Sequence, residues 1–383
     1  MKMVLSTTDP DYKQCSISVM DNIADPHINF DEQGVCNYYY EYGSLEKQYV
    51  LKGKEGETKL EELLQKIRNE GAGKQYDCVT GISGGVDSSY LVYMAKKWGL
   101  RPLIVHFDNG WNSEIAVSNI NNIIKNTGFD LYTIVVDWEE FRDLQLAYIK
   151  ASVVDIEVPT DHAIGGTLQS LAAKYGVKYV LSGNNVVTEA ILPPSWVYNK
   201  ADYVNLLNIH KKFGTIPFKT YPLFGFKAQY VHGLGKGIQT IKPLNYIDYN
   251  KIEAKKTITK ELEWRDYGGK HYESVFTKFY QAHILPYKFH IDKRKAHLST
   301  LIFSGQMTKA EALKELEQPL YEPTELKTER EYVIKKLGLT ESEFEQLMKM
   351  PRVDHGVFGH QQHLLERFPV IKLLKPLYKL FRK

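Results

Sequence analysis

Cys78-Val79-Thr80-Gly81-Ile82-Ser83-Gly84-Gly85-Val86-Asp87-Ser88-Ser89 is a strand, a glycine-rich loop and a helix start written in twelve letters. Cys78 to Ile82 is short, apolar and rich in β-branched residues, as a strand buried on both faces should be. Leu91, Val92, Met94, Ala95 and Trp98 then recur at helical spacing. Between the two, Gly84 and Gly85 let the backbone approach a ligand with no Cβ in the way. N–H groups at the head of the new helix favour an anion, and Ser83, Ser88 and Ser89 add hydroxyls. The carboxylate of Asp87 would repel phosphate. It fits if it holds a divalent cation bridging phosphate oxygens, because magnesium takes one or two carboxylates plus substrate oxygens.

Two common phosphate loops fail on residues. A Walker A loop ends in Gly-Lys-Ser/Thr, and Val86-Asp87-Ser88 stands there instead. A dinucleotide fingerprint needs Gly-x-Gly, and Ser83 follows Gly81 at the second glycine's place. The bland alternative is a tight turn with an N-capping serine or aspartate. Ser83-Gly84-Gly85-Val86-Asp87-Ser88 resembles the PP-loop of N-type ATP pyrophosphatases. That resemblance implies cleavage of ATP between its α and β phosphates, with AMP passing to a carbonyl-type oxygen.

From about Gln75 to Gly183 apolar strands alternate with amphipathic helices, which predicts an α/β fold with a doubly wound parallel sheet. Expected strands follow at Pro102–Asp108, Leu131–Val136 and Lys178–Gly183. Expected helices cover Ile115–Lys125, Trp138–Ala151 and His162–Tyr175. Ligands in such sheets sit at the carboxyl ends of the strands, so Ser83–Ser89, Asp108 and Gly183-Asn184-Asn185 should share one crevice. Val186–Tyr249 breaks the periodicity with prolines and aromatics, as a functional segment does. The expected organisation is an N-terminal lobe over 1–70, the PP-loop domain over 71–250 and a mostly helical region over 251–383.

The 383 residues suffice for two or more domains. A formal charge of +3 gives no argument for nucleic acid, and three cysteines exclude a disulfide scaffold. Met1–Pro10 has no signal-peptide core and no run is long enough to span a bilayer, so a cytoplasmic enzyme is expected. Phe368–Lys383 is basic and amphipathic, suited to an anionic membrane surface, a partner or its own domain.

In the N-terminal lobe, Cys15 and Cys36 each begin a would-be Cys-x-x-Cys pair, but Ser18 and Tyr39 occupy the second places. Two thiolates make an incomplete tetrahedral zinc site, which favours a metal-free lobe. With this knuckle in view, residues 12 to 315 resemble the N-acetyl sugar amidotransferases of bacterial surface-polysaccharide synthesis. The likeness rests on Ser83–Ser88, Leu181-Ser182-Gly183-Asn184-Asn185, Ile209–Gly214, Pro243–Lys251, Trp264–Glu273, Phe289–Leu298 and Ser304–Thr308. Relatives usually carry both cysteine pairs, a departure here.

The resemblance implies a two-step reaction. An acetamido oxygen attacks the α-phosphorus of ATP, and ammonia then displaces AMP to leave an acetamidino group, on a UDP-diacetamido-uronic acid of lipopolysaccharide O-antigen synthesis. ATP and Mg2+ are the implied cofactors. Ser83, Gly84, Gly85, Val86, Asp87, Ser88, Ser89 and Gly183 would hold the nucleotide, with Asp108 on ribose or metal (or simply capping a turn). Asn184 and Asn185 would face the α-phosphate or the acceptor amide, and Glu189 would serve as base for ammonia. Lys293, Arg294 and Lys295 would capture diphosphate, the alternative being a solvated charge run. His210, Lys211 and Lys212 would meet an anionic sugar nucleotide. Lys270, His271 and Glu273 would project into the cleft, and Trp196 and Tyr198 could stack on sugar or uracil, although burial is the default for an aromatic. No glutaminase triad is evident, so a separate glutaminase subunit, with a cyclase-like companion, is the implied ammonia source. The rivals are another PP-loop adenylating enzyme acting on tRNA and a catalytically silent nucleotide-sensing subunit.

Overall fold

A computed structural model describes residues 8–269 and 272–361. Its centre is a five-stranded, all-parallel sheet in the order β3-β2-β1-β4-β5. In chain order the first elements are helices α1 (Asn37–Tyr49) and α2 (Gly53–Glu70), then β1 (Cys78–Ile82), α3 (Val86–Lys97), β2 (Pro102–Asp108), α4 (Glu114–Thr127) and β3 (Leu131–Val135). Next come α5 (Trp138–Ala151), α6 (Val158–Lys174), β4 (Tyr179–Leu181), α7 (Val186–Glu189), α8 (Tyr203–Phe213) and β5 (Gln239–Ile241). The remaining helices are α9 (Lys251–Leu262), α10 (Val275–Phe279), α11 (Leu285–Phe289), α12 (Arg294–Phe303), α13 (Lys309–Leu316), α14 (Pro323–Leu337) and α15 (Glu341–Lys349).

The alternation within β1 builds both faces of the sheet. Cys78 packs with Leu60, Leu64, Leu91 and Leu181, while Val79 packs with Leu103, Val105, Leu171 and Val180. Ile82 joins Ile104, Ile120, Ile258, Leu262 and Trp264. Helix α9 therefore closes the layer over α3 and α4, so apolar packing runs across residue 250 rather than stopping there. Packing also crosses residue 70, since Cys15, Met20 and Tyr38 of the N-terminal lobe share a core with Phe276, Ala296 and Val333.

Strands β1 to β4 and helices α4 and α5 lie where the periodicity put them, within a residue or two. Ser113 caps α4 by accepting from Ala116 N, and Gly128 ends it at φ +75°. Helix α6 begins four residues before the expected His162, with Pro159 in its first turn. Strand β5 lies in the aromatic segment expected to be irregular. It has only three residues, too few to display a period. Among the described residues no helix is long and apolar enough to cross a membrane.

Candidate active site

Strand β1 is the hinge of the topology. The chain moves to β2 and β3 on one side of it, then returns to β4 on the other. The loops after β1 and β4 diverge there and leave a crevice at the carboxyl edge. Both are in contact: a Cβ on Gly183 would lie 3.0 Å from the Asp87 carbonyl carbon and the Ser88 nitrogen. Gly84 has φ +84°, and a Cβ there would stand 2.9 Å from the Ala116 carbonyl oxygen of α4. The two glycines thus let strand end, loop and helix head pack backbone to backbone.

Within the loop the hydroxyls hold the turn. Ser83 Oγ accepts from Gly85 N at 3.2 Å and lies 3.3 Å from Ser88 Oγ. Ser88 Oγ also donates to Gly85 O at 3.2 Å. Ser89 is buried beneath. Asp87, in the first turn of α3, accepts from Tyr249 OH at 2.5 Å and from Asn185 Nδ2 at 3.4 Å, both on Oδ1. Burial, then the Asp87 charge and hydrogen bond, and then Glu189 hold the Tyr249 phenol well above its ordinary pKa, so it stays a donor. Tyr267 is likewise raised by burial first, then by Glu273 and Asp87. A Cβ on Gly85 would meet Glu273 Oε1 and Tyr267 OH, each at 3.2 Å. Trp264 Nε1 donates to Gly84 O at 2.8 Å, fixing the far side. Tyr249, Trp264, Tyr267 and Glu273 surround the loop from outside the α/β run. The sequence shows their motifs and directs Glu273 to the cleft, as found, but it does not show the convergence of Tyr249, Trp264 and Tyr267 on the loop.

The Asn pair divides its work. Asn185 is buried and caps α7 by accepting from Thr188 N at 3.0 Å, while Asn184 is exposed at the crevice. Asp108 behaves as a turn cap, its Oδ1 accepting from Gly110 N at 2.8 Å and Asn112 Nδ2 at 2.9 Å.

A second polar cluster lies on the same edge. Helix α6 leads into β4 and so starts at the carboxyl end of the strands, where Thr160 Oγ1 lies 3.4 Å from Asn109 Nδ2, just past β2. Before it, Asp155 accepts from Lys200 Nζ at 2.7 Å on both oxygens, and Lys200 also reaches Asp161 at 3.2 Å. Burial would lower the Lys200 ammonium, but Asp155 and Asp161 hold it above its ordinary range. Glu157 Oε2 accepts from Thr277 Oγ1 at 2.8 Å, whereas its Oε1 is buried without a hydrogen-bond partner. Burial, then Asp161, pushes the Glu157 carboxyl up to about 7. Lys293 is the member of the basic run that faces this cluster. Burial lowers its pKa against the pull of Asp155. Asp155 also lines a cavity of about 520 Å³ that includes Tyr198, Tyr230, Arg352 and His355.

Several expected contacts resolve otherwise. Arg294 pairs with Asp292 at 2.7 Å and donates to the Gln318 carbonyl at 2.8 Å, tying α12 to the end of α13. Lys295 pairs with buried Asp21 of the N-terminal lobe. Neither is a free phosphate clamp. Trp196 is 3% exposed and donates Nε1 to Ala24 O at 2.9 Å, so it is a core residue rather than a stacking platform. His210 stacks on Phe218 at 4.0 Å and sits 3.3 Å from Asp143 Oδ2. Lys211 is exposed, and Lys212 lies 5.3 Å from the Phe213 and Phe358 ring centroids. No described contact brings these three to the loop. Lys270, His271 and Phe368–Lys383 lie outside the described residues.

The cysteine knuckle keeps its turn without its metal set. Cys15 Sγ accepts from Ser18 N at 3.4 Å and Cys36 N at 3.3 Å, and Tyr39 turns toward Phe303. Among the described residues no three metal-binding side chains converge. Two thiols and a serine do not fit zinc. The loop does fit magnesium, since one carboxylate beside hydroxyls and phosphate oxygens is what that ion accepts.

Residues 273–374 match the profile of the C-terminal domain of LPS biosynthesis protein WbpG-like proteins. The uncharacterized protein MJ1599 of Methanocaldococcus jannaschii is 25% identical over 317 residues, covering 80% of this chain and 94% of its own. Among solved structures, the NH3-dependent NAD synthetase of Campylobacter jejuni is 16% identical over 41% of this chain and 76% of its own, at TM-score 0.29. The NMN synthetase of Francisella tularensis is 14% identical over 58% and 92%, at TM-score 0.28. A predicted tRNA methyltransferase subunit of M. jannaschii is 16% identical over 48% and 75%, at TM-score 0.26. These three likenesses are too loose to argue from. The chain thus joins a five-stranded parallel α/β sheet to a C-terminal segment similar to that of LPS biosynthesis proteins.

Proposed function

We propose that the protein is an ATP-dependent N-acetyl sugar amidotransferase of lipopolysaccharide synthesis, releasing AMP and pyrophosphate. The observation that carries this is the lysine-free loop with its Asp87 carboxylate, held at the carboxyl edge by Tyr249 and Asn185. The WbpG-like match over residues 273–374 favours a surface-polysaccharide acceptor over tRNA.

An amide resists ammonia because its oxygen leaves poorly, and transfer of AMP to that oxygen removes the obstacle. The chain's part is positioning and charge neutralisation. Backbone N–H groups of Gly84 to Ser88 and the Ser83 and Ser88 hydroxyls would bind the departing pyrophosphate. Asp87, fixed by Tyr249, would hold magnesium, which neutralises phosphate charge when bound. Asn184 and Lys293 would orient the α-phosphate and acceptor amide. The cavity beside Asp155 is within the size range of small-molecule pockets (about 300–1,000 Å³). Its lining sets Asp155, Asp202 and Asp354 against one arginine, Arg352, which favours the neutral hydroxyl and acetamido face of the sugar over its diphosphate.

All three cysteines are buried, and burial, then Asp77, raises the Cys78 thiol far above its ordinary value. The hydrogen bond from Cys36 lowers the Cys15 thiol, but Cys15 is fully enclosed in the N-terminal lobe. None of the three is therefore an accessible glutaminase nucleophile, and ammonia is assigned to a separate glutaminase, with a cyclase-like companion. The reading is tested by mixing protein, ATP, magnesium, ammonium and UDP-diacetamido-uronic acids. AMP, pyrophosphate and a sugar in which NH replaces one acetamido oxygen are expected. ADP, or nucleotide cleavage with an unchanged sugar, would refute it.

A further inference from the structure

We propose that Glu157 is the base of the second half-reaction and takes the proton that the attacking ammonia nitrogen must lose. This rests on the amidotransferase reading above and assigns to its amide-exchange step a residue that the sequence did not single out.

The placement comes from two independent ties to the crevice. Thr277, which donates to Glu157 Oε2 at 2.8 Å, lies in the first turn of α10, four residues after Glu273, whose carboxylate stands against Gly85 of the loop. The same segment is pinned to the end of β2, where Val275 N donates to Trp111 O at 2.8 Å and Ser113 N donates to Glu273 O at 2.9 Å. From the other side, Thr160 meets Asn109 just past β2. Glu157 thus stands at the head of α6 on the edge where nucleotide and acceptor must meet. One of its oxygens is held, while the other, Oε1, is buried with no partner. A buried acceptor without a donor is destabilising, and an N–H of ammonia or of the adduct would satisfy it.

The groups facing Glu157 set its proton affinity. Asp161 on α6 and Asp155 before it raise the carboxyl, while Thr277 on α10 and Lys200 before α8 lower it. Lys293 before α12 and Tyr280 after α10 feel its charge. Burial dominates and leaves the group near 7, where a base works best at neutral pH. Glu189 instead lies in the field of Tyr249 beside Asp87, next to the place for the metal.

The step balances as follows. The lone pair of ammonia forms the C–N bond to the protonated imidate carbon, and the new nitrogen carries a positive charge. Glu157 takes one proton from it. The nitrogen's recovered lone pair then forms the amidine C=N bond as the C–O bond breaks, and the electron pair leaves with AMP.

The test measures amidine formed per pyrophosphate released, at fixed free ammonia, from pH 6 to 9. A ratio is insensitive to the folded fraction. In Glu157→Gln, whose amide still accepts from Thr277, the ratio should fall about 100-fold because water consumes the adenylated imidate. The wild-type rise in the ratio near pH 7 should vanish. Thr277→Val should move that rise to higher pH, since the hydroxyl that favours the carboxylate is gone. An unchanged ratio and profile in Glu157→Gln would overturn the assignment. Absence of amidine from the wild type would instead overturn the amidotransferase reading itself.

Discussion

Replacing Gly84 with alanine tests whether the loop's path is set by backbone contact. Two penalties can be worked from the structure. At φ +84° an L-residue costs about 1–2 kcal/mol relative to an ordinary conformation. The new methyl would also stand 2.9 Å from Ala116 O, an overpacking that typically costs about 1–3 kcal/mol. One side must give. Helix α4 is capped at both ends and buries Ile120 and Ile123, whereas the loop is held by hydroxyl contacts of 3.2–3.4 Å and by the single Trp264 bond to Gly84 O at 2.8 Å. The loop should therefore move, converting part of the clash into misplaced phosphate donors. A shift of about 1 Å at a positioning site costs about 100-fold in rate. The expected result for Gly84→Ala is a stability loss of about 1–2 kcal/mol in denaturant unfolding, with pyrophosphate release about 100-fold slower. Gly73→Ala is the control. Its φ is +75° with nothing within 4 Å of the new Cβ, and it lies before β1, at the opposite edge of the sheet. It should lose similar stability at unchanged rate. Equal rates in the two variants would refute the reasoning.

Asp87→Asn keeps an oxygen for Tyr249 but loses the charge, so pyrophosphate release should fall about 100–1,000-fold with little change in unfolding; release that survives removes the metal role. His162 gives a pH prediction. Its Nε2 accepts from Phe224 N at 2.9 Å and its Nδ1 lies 2.7 Å from Lys200 O, which fixes the neutral tautomer. Burial lowers its pKa from 6.5 to about 4. Because the folded value is depressed, its contribution is intact above pH 6.5 and is lost as pH falls toward 4, about 3 kcal/mol in all. The unfolding free energy of His162→Gln should lose that slope, and an unchanged slope would show that His162 does not protonate on unfolding.

The loop was legible in the sequence because its chemistry is local. Strand, glycines and helix head are adjacent in the chain, so period and residue type suffice. The doubly wound sheet was legible for the same reason, except β5, whose three residues carry no period. What the sequence hid is partnership. Arg294 and Lys295 read as phosphate clamps until Asp292 and Asp21 are found beside them, and Asp21 lies 274 residues away from Lys295. Trp196 read as a platform because its burial against the N-terminal lobe is a long-range fact. Glu157 was missed for the converse reason. Its neighbours in sequence are unremarkable, and only the fold buries it and brings Thr277 to it. Convergent tyrosines at Asp87 were equally invisible, although Tyr249 and Tyr267 lie in segments whose motifs had been noted.

The central claim is that an acetamido oxygen attacks ATP, and oxygen tracing tests it most directly. A UDP-diacetamido-uronic acid carrying 18O in its acetamido carbonyl is turned over with ATP, magnesium and ammonium, and the AMP is examined by mass spectrometry. The account predicts that the heavy oxygen leaves the sugar and appears in the AMP phosphate, in proportion to the amidine formed. Unlabelled AMP beside an amidine product, with the heavy oxygen released to water, would contradict it.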